Sequence, residues 1–200
     1  MTNDISSSLR PALVMTGLFA ILLGLAYPLA MTGIGQALFP RQANGSLVTE
    51  SGRVIGSTVV GQAFTSERYF NTRPSAAGAS DQGGYDGLAS SGSNLGPASQ
   101  ALHDRVQADL QRMQAATPGR PVPSDLVTTS ASGLDPDISP EAALYQVDRV
   151  ARARGLESEA LRRLVAGSIE EPLLGFIGER RVNVFELNRR LDALRAKPVR

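Results

Sequence analysis

Few residues of this chain have the types and spacing that catalysis or metal binding needs. The 200 residues include no Cys and one His, His103, so thiol catalysis, cysteine-ligated zinc and His-rich metal sites are excluded. Ser93 with His103 is the one pair that a hydrolase would use, but a single His beside an apolar helix stripe is more often structural. Asp135 and Asp137 offer oxygens to a hard cation, yet Ca²⁺ takes about six to eight, so turn and capping roles are favoured. We predict neither a catalytic nor a metal site.

Phosphate loops and nucleic-acid recognition have equally little support. The single lysine, Lys197, is followed by Pro198, which excludes a Gly-Lys-Ser/Thr phosphate loop. Charges nearly balance, at 20 basic against 19 acidic residues, and there is no Trp. A nucleic-acid partner normally requires a basic excess or an aromatic stacking surface. We therefore expect no nucleic-acid partner.

A long uncharged segment predicts a membrane anchor. No charged residue occurs between Arg10 and Arg41, and the apolar run from Ala12 to Leu38 exceeds the about 20 residues that a helix needs to cross a bilayer. The alternative is a signal peptide with a weak cleavage site at Gly24-Leu25-Ala26, but the run is longer than the roughly 7–15 residues of a signal core. The favoured interpretation divides the chain into a tail, a transmembrane helix and a soluble domain: residues 1–11, 12–38 and 39–200.

One face of the predicted helix carries small residues at a spacing of four. Such a face lets a second membrane helix approach closely, and it comprises Thr16, Ala20, Gly24 and Pro28. Pro28 is expected to kink the helix or loosen its hydrogen-bond ladder. Positive charges flank the segment almost equally. The short tail and the absence of Cys favour the outer side for the soluble domain.

The rest of the chain mixes strand-like and helix-like segments, which predicts an α+β fold: a single transmembrane helix followed by one mixed α/β domain. A hairpin with Ser51-Gly52 at its turn is expected directly after the membrane segment. Ser139-Pro140-Glu141 is typical of a helix start, and Asn183 with Glu186 of a capping box. The predicted elements are strands over 47–49, 54–60 and 127–129 and helices over 98–116, 139–154, 157–165 and from 184 onward.

Residues 71–97, here called the long loop, differ in composition from their surroundings. Thirteen of these 27 residues are Gly, Ser or Pro, which is typical of a linker. However, Tyr85, Leu88 and Leu95 are spaced as anchors, and the segment lies inside the domain. Irregular loops of this length are usually either functional or disordered. We predict an ordered, functional loop.

Short motifs, each weak alone, occur along residues 11–192. They are Tyr27-Pro28-Leu29 with Gly33, Gln36 and Phe39-Pro40; Gln42-Ala43-Asn44-Gly45-Ser46-Leu47; Gly61-Gln62-Ala63-Phe64; Tyr69-Phe70 with Arg73-Pro74-Ser75-Ala76; Ser91-Gly92-Ser93-Asn94-Leu95-Gly96-Pro97; Val122-Pro123 with Asp125-Leu126-Val127-Thr128; Ser130-Ala131-Ser132-Gly133-Leu134-Asp135-Pro136 with Ile138-Ser139-Pro140; and Arg181-Val182-Asn183-Val184 with Glu186-Leu187-Asn188. In this order and combination, the chain resembles the C subunit of the Kdp high-affinity potassium-transporting ATPase of bacteria and archaea.

The resemblance implies one membrane helix and a large domain on the outer face of the bacterial cytoplasmic membrane. It implies a complex, embedded in membrane lipid, with a channel-like K⁺-translocating subunit, a P-type ATPase subunit and a small single-helix subunit. The complex then handles ATP and K⁺. The phosphorylated Asp-Lys-Thr-Gly motif of P-type ATPases does not occur in this sequence. The chain is therefore expected to be a non-catalytic accessory subunit without a cofactor of its own.

The resemblance also implies a catalytic chaperone, which raises the ATP affinity of the hydrolysing subunit, and Gln62 matches the glutamine linked to nucleotide. A domain on the outer face cannot meet cytoplasmic ATP, so we expect Gln62 to be structural or interfacial. The alternative is a nucleotide-binding accessory protein that contacts ATP directly. We expect the domain to cap the outer mouth of the K⁺-translocating subunit through the long loop. The candidate contact residues are Arg73, Pro74, Ser75, Ser93, Asn94, Leu95 and Gly96.

Overall fold

Two units, residues 1–47 and 48–200, make up the chain in a computed structural model that describes residues 2–78 and 84–195. The first unit is helical. Helix α1 (Thr2–Ile21) continues through one π-helical turn (Leu22–Ala26) into α2 (Tyr27–Leu38), and a short α3 (Pro40–Ala43) follows.

The π-helical turn lies where the sequence predicts a loosened ladder. The Tyr27 N–H donates to the Leu22 carbonyl, five residues back. Pro28 has no N–H to offer the Gly24 carbonyl, and its ring crowds that turn, so the ladder widens just before it. Within the described residues, Ser7–Leu38 is the one stretch that is long and apolar enough to cross a membrane by length and composition.

A hairpin follows the first unit, and four α-helices account for most of the regular structure among the described residues after it. Strands β1 (Leu47–Glu50) and β2 (Arg53–Ser57) pair around Ser51-Gly52, and both turn residues have positive φ, as a tight hairpin requires. The predicted hairpin is confirmed, although its second strand ends earlier than expected. The helices are α4 (Gln100–Ala116), α5 (Pro140–Arg154), α6 (Ser158–Ala166) and α7 (Val184–Arg195).

A small antiparallel sheet joins the ends of these helices. Its strand order is β3 (Asp137–Ile138), β5 (Arg181–Asn183), β4 (Ile169–Glu170). Asp137 pairs with Asn183, and Val182 lies between Ile138 and Ile169. One apolar residue of the central strand is therefore covered from both sides.

The predicted helix starts at Ser139 and Asn183 are confirmed, but the Glu186 carboxylate bonds Arg189 at 3.0 Å, so the described contacts show only one half of the predicted capping box. The Ser139 hydroxyl accepts a hydrogen bond of 3.0 Å from the Ala142 N–H, and the Asn183 side chain accepts one of 3.1 Å from the Glu186 N–H. Helix α5 ends at Gly155, which has φ +66°, the conformation that glycine adopts most readily. Because Asn183 lies in β5 and caps α7, the chain passes from strand to helix without a loop.

The core lies between α5, α6, α7 and β5. Its fully buried side chains include Val147 and Val150 of α5, Leu161 of α6, and Leu187 and Leu191 of α7. Phe70, in the irregular segment just before the long loop, is also fully buried in this core. These contacts confirm the mixed α/β class and show that α5 is its central helix.

The predicted strand over residues 127–129 is wrong. Ser124–Leu126 forms a 3₁₀ turn, and the Val127 N–H and the Thr128 hydroxyl both donate back to the Ser124 carbonyl. The Asp125 carboxylate accepts a hydrogen bond of 2.6 Å from the Ser139 N–H. These bonds hold the backbone in a turn despite its β-branched residues.

Candidate functional site

The long loop is tied to the rest of the domain through one serine. The Ser75 hydroxyl donates to the Gly133 carbonyl at 2.6 Å and accepts from the N–H groups of Ala77, at 3.1 Å, and Tyr85, at 2.9 Å. One donor and two acceptor positions exhaust the hydrogen-bonding capacity of a hydroxyl. Ser75 therefore holds the two arms of the loop against residues 130–135, here called the platform.

Arg73 is a second fastening point. Its guanidinium forms an ion pair of 3.1 Å with the Asp135 carboxylate and donates to the backbone carbonyl and hydroxyl of Thr128, both at 3.3 Å. The Tyr85 hydroxyl donates to the Arg73 carbonyl at 2.6 Å. Burial raises the pKa of Tyr85 from its ordinary value of 10.0 to about 12, so this phenol keeps its donor proton over a wider pH range than an ordinary tyrosine.

The far arm of the loop meets the same platform. The Ser91 N–H and the Ser90 hydroxyl donate to the Ser132 carbonyl, each at 2.9 Å. Gly133 has φ +66°, and a Cβ there would lie 2.7 Å from the Ala77 nitrogen and 2.5 Å from the Ser91 carbonyl oxygen. The platform therefore requires glycine at this position, both for its backbone conformation and for the close approach of the two arms.

The candidate contact residues consequently fall into two groups. Arg73, Pro74 and Ser75 are half-buried, and the polar groups of Arg73 and Ser75 are occupied within the domain. Ser93 is half-buried, whereas the segment Asn94–Gly96 is exposed. Leu88, which the sequence predicts as an anchor of the loop, is instead 99% exposed, so this part of the prediction is wrong. We therefore expect a partner to contact the outer part of the loop rather than its fastened base.

The two aspartates of the platform region have structural partners. The Asp135 carboxylate accepts from the Asp137 N–H at 3.0 Å in addition to its ion pair with Arg73. Asp137 accepts from the Asn183 side-chain amide at 3.1 Å and lies 3.3 Å from the Arg181 guanidinium. Burial raises the pKa of Asp137, and the charge of Arg181 partly opposes this shift. The described residues contain no group of three or more potential metal ligands among His, Cys, Asp and Glu.

Gln62 lies against the hairpin. It is half-buried, and its carbonyl accepts a hydrogen bond of 3.3 Å from the Thr72 hydroxyl. Its side-chain amide and the Phe185 ring both lie close to Gly56. A Cβ atom added at Gly56 would come within 2.5 Å of the Phe185 ring. Within the described part of the chain, the amide makes no hydrogen bond. The structure thus places Gln62 in a packing position and leaves its amide available.

A groove of about 720 Å³ lies beside Phe185. Its floor is apolar and includes Ile55, Phe64 and Tyr69. The charged groups at its rim are largely paired, because Arg189 bonds Glu186 at 3.0 Å. Asp192, which also lines the groove, forms an ion pair of 2.8 Å with Arg154, a residue that lies outside the lining. The groove therefore offers mainly apolar surface, and Arg190, which also lines it, donates to the Gly167 carbonyl and the Ser168 hydroxyl.

A buried polar network is the feature that sequence reasoning missed. The Asn188 side chain, on α7, accepts from the Phe70 N–H and donates to the Phe70 carbonyl, both at 2.9 Å. Gln146, on α5, does the same for Asn71, at 2.8 and 3.0 Å. Two helices thus pair with an irregular segment much as a neighbouring strand would, through side-chain amides.

Arg149 completes this network. Its guanidinium donates to the carbonyls of Glu67, at 2.8 Å, and Tyr69, at 3.0 Å, and to the side chain of Asn71 at 2.8 Å. Burial lowers the pKa of Arg149, and the Glu67 carboxylate partly opposes this shift. The sequence does carry a signal for this network. Gln146 and Arg149 follow the buried Ala142 of α5 by four and seven residues, which places polar side chains at core positions of the helix.

Two other groups of candidate residues are not brought into a site. His103 lies 3.4 Å from the neighbouring Asp104 carboxylate, and within the described residues it makes no hydrogen bond to Ser93. The helix residues Thr16, Ala20, Gly24 and Pro28 are all exposed, so their role in helix packing stays a prediction.

Comparison with known proteins identifies the family. The model of a family described as K+-transporting ATPase, c chain, matches residues 9–193. A potassium-transporting ATPase KdpC subunit from Caulobacter vibrioides is 56% identical over 188 residues, which cover 94% of this chain and 93% of the relative. One from Methylobacterium nodulans is 56% identical over 197 residues, covering 94% and 98%, and one from Rhodopseudomonas palustris is 53% identical over 192 residues, covering 92% and 96%. The chain therefore belongs to the KdpC family.

Proposed function

We propose that this chain is a non-catalytic subunit of an ATP-driven, high-affinity K⁺ uptake complex, in which it assembles and stabilises the other subunits. The observation that carries the proposal is the family match over residues 9–193. The apolar helix that includes Ser7–Leu38 supports it, because this helix has the length and composition of a membrane anchor.

The partners follow from the same proposal. They are a channel-like K⁺-translocating subunit, a P-type ATPase subunit that hydrolyses ATP, and a small single-helix subunit. In the membrane, the face of Thr16, Ala20, Gly24 and Pro28 packs against a partner helix, because small side chains allow close approach of the backbones. The large domain lies on the outer face of the bacterial cytoplasmic membrane.

The exposed part of the long loop, around Asn94–Gly96, contacts the outer mouth of the K⁺-translocating subunit. Support comes from the way in which the loop is built. Arg73 and Ser75 fasten its base to the platform through charged and neutral hydrogen bonds, so the outer residues are presented by a rigid base. Loops held in this way suit recognition, because little conformational entropy is lost on binding.

An effect on ATP affinity is the finer part of the proposal. A domain on the outer face acts on the nucleotide site only through the complex, as a coupling free energy of typically ~1–3 kcal/mol between distant sites. The domain does so by holding the translocating and hydrolysing subunits in register. On this proposal, Gln62 is a packing or interfacial residue.

Purification of the assembled complex tests the main proposal. The chain carries a carboxyl-terminal tag, is extracted in mild detergent from cells that express all subunits, and is captured with its partners. We expect a channel-like subunit and a P-type ATPase in the eluate, together with K⁺-stimulated ATP hydrolysis. Recovery of this chain alone would refute the assembly role.

The alternative, direct nucleotide binding, is favoured only by the unbonded amide of Gln62 beside the groove near Phe185. Two measurements separate it from the main proposal. A reporter enzyme fused after Arg200 is expected to be active outside the cytoplasm, whereas activity only in the cytoplasm favours the alternative. In equilibrium dialysis, we expect the purified unmodified chain to bind ATP only at background level. We expect Gln62→Ala to give the same result.

A further inference from the structure

A turn between β4 and β5 carries an exposed group of apolar side chains. Leu173, Leu174, Phe176 and Ile177 are 69, 75, 76 and 51% exposed, and we call them the apolar tip. The stretch 172–178 contains no charged residue. Single exposed apolar residues are common on protein surfaces, but a contiguous group of four marks an interaction site.

The tip is closed by its own backbone. Leu173 and Ile177 exchange two backbone hydrogen bonds, of 3.0 and 2.9 Å, and the Gly175 N–H donates to the Pro172 carbonyl at 2.9 Å. Leu174 has φ +55°, a left-handed conformation that is unfavourable for a large side chain. A strained, hydrogen-bonded turn that points large side chains into solvent is shaped for a partner rather than for the domain itself.

The charged residues around the apolar tip indicate whether its partner is a lipid surface or a protein. Arg180 pairs with Glu171 at 3.1 Å and Arg181 with Glu170 at 3.0 Å, and Glu179 adds a further negative charge. Anionic lipid surfaces attract segments with free Lys and Arg. A rim whose arginines are paired and whose formal charge is −1 therefore favours a protein pocket over a bilayer surface.

The small size of the tip limits the kind of protein. A free-standing interface buries roughly 800 Å² on each partner, which needs about 20 residues rather than four side chains. The tip therefore suits a partner that other contacts already hold nearby. The family membership and the apolar helix of this chain indicate such a partner, because two proteins anchored in one membrane complex meet at a high effective concentration.

We propose that the apolar tip inserts into an apolar, basic-rimmed pocket on a membrane-embedded subunit of the same ATPase complex. The inference rests on the proposed function, since it requires that complex. It adds a second contact, separate in sequence from the long loop, that depends on shape and apolar burial. The basic rim of the partner's pocket offsets the one net negative charge that remains after Glu170 and Glu171 pair with arginines.

Substitution of the tip in the assembled complex tests the inference. Leu174→Ser with Phe176→Ser removes the two most exposed apolar side chains of the tip without disturbing a buried contact. We expect at least a tenfold loss of co-purified membrane subunit after a detergent wash, with an unchanged unfolding midpoint of the isolated variant chain. The matched control is Val54→Ser, on the hairpin, because Val54 is 58% exposed and lies outside the tip. Equal loss in both variants, or retention in both, would overturn the tip proposal.

A photo-reactive amino acid at position 176 of the otherwise unmodified chain gives an independent readout. An adduct with a membrane-embedded subunit of the complex supports the proposal. Adducts with lipid only, with a second copy of this chain, or with no partner overturn it. The two proposals fail differently: if the unmodified chain recovers no subunits, the assembly role fails, whereas normal recovery without an adduct refutes only the tip contact.

Discussion

The long loop and the apolar tip are both irregular surface segments, but they are built in opposite ways. The loop is polar, and its hydrogen bonds run to distant residues of the platform, as from Ser75 to Gly133. The tip is apolar, and its backbone bonds stay within the turn, as between Leu173 and Ile177. The loop therefore contributes to the stability of the domain, whereas the tip uses a stable domain to expose apolar surface.

This contrast separates two kinds of functional residue. Substitutions at the base of the loop act on folding first and on partners second. Substitutions in the tip are expected to act on the proposed partner while the fold remains intact. A loss of assembly in a variant can therefore be assigned to a lost partner contact only when the stability of the variant chain is also measured.

The largest expected effect comes from Gly133→Ala. The new methyl group would press on the Ala77 nitrogen and the Ser91 carbonyl, and φ +66° is unfavourable for alanine. We expect a loss of about 3–4 kcal/mol in the free energy of unfolding, measured with urea. Gly119→Ala is the matched control, because Gly119 has φ +76° with no atom within 4 Å of the new Cβ, and it should lose only about 1 kcal/mol. Equal losses would contradict the close-packed platform.

Asn188→Ala should cost about 2–3 kcal/mol, because it leaves the buried N–H and carbonyl of Phe70 without their partners. Urea unfolding followed by circular dichroism measures the loss. The exposed Gln107→Ala, on α4, should change stability by less than about 0.5 kcal/mol. If the two variants unfold alike, the amide pairing does not hold the segment before the loop.

Ser75→Ala should cost about 1–2 kcal/mol, since three hydrogen bonds are lost at once in a half-buried position. Proteolysis of the native chain should also cut within the loop more rapidly. Ser90→Ala removes a single exposed hydrogen bond and should leave both measurements close to those of the unmodified chain. An equal effect of Ser90→Ala would mean that the loop has no dominant fastening point.

In the apolar tip, we expect one substitution to stabilise the domain rather than to destabilise it. Leu174→Gly should stabilise the domain by up to about 1 kcal/mol, because glycine accepts φ +55° without strain. Leu173→Gly, at a position without positive φ, should be neutral or destabilising. A destabilising Leu174→Gly would show that the tip is packed on the domain and would weaken the contrast with the loop.

The smallest expected effect concerns pH. Because burial raises the pKa of Asp137 above its ordinary value of 3.8, the folded state keeps a proton where the unfolded state has lost it. The stability that this group contributes is therefore fully present below pH 3.8 and declines as pH rises through the raised pKa. Asp137→Asn should flatten this decline in unfolding midpoints measured across the acid range, whereas the exposed Asp104→Asn should not.

The sequence predicted the parts of the fold that depend on local patterns. The long apolar helix, the hairpin around Ser51-Gly52, the helix start at Ser139 and the cap at Asn183 each depend on neighbouring residues, and each is present in the structure. The strand predicted over 127–129 fails because the carbonyl of Ser124, which accepts two bonds, and the carboxylate of Asp125, bonded to the distant Ser139, outweigh β propensity.

The candidate site was predicted less completely. The long loop was identified from its composition, but its division into a fastened base and a free outer part needed the distances from Arg73 to Asp135 and from Ser75 to Gly133. The pairing of Gln146 and Asn188 with residues 70 and 71 was not predicted, because amides on a helix face have no fixed partner in the sequence.

The sequence by itself determined the membrane-length apolar helix, the mixed α/β class and the membership in the KdpC family, because each is a property of residue order alone. The tertiary structure alone decided which surface is free. The serine-rich loop proved to be fastened by hydrogen bonds to residues more than 40 positions away, whereas four apolar residues between two short strands remained exposed. Burial is decided by which segments meet in space, and that depends on the packing of the whole chain.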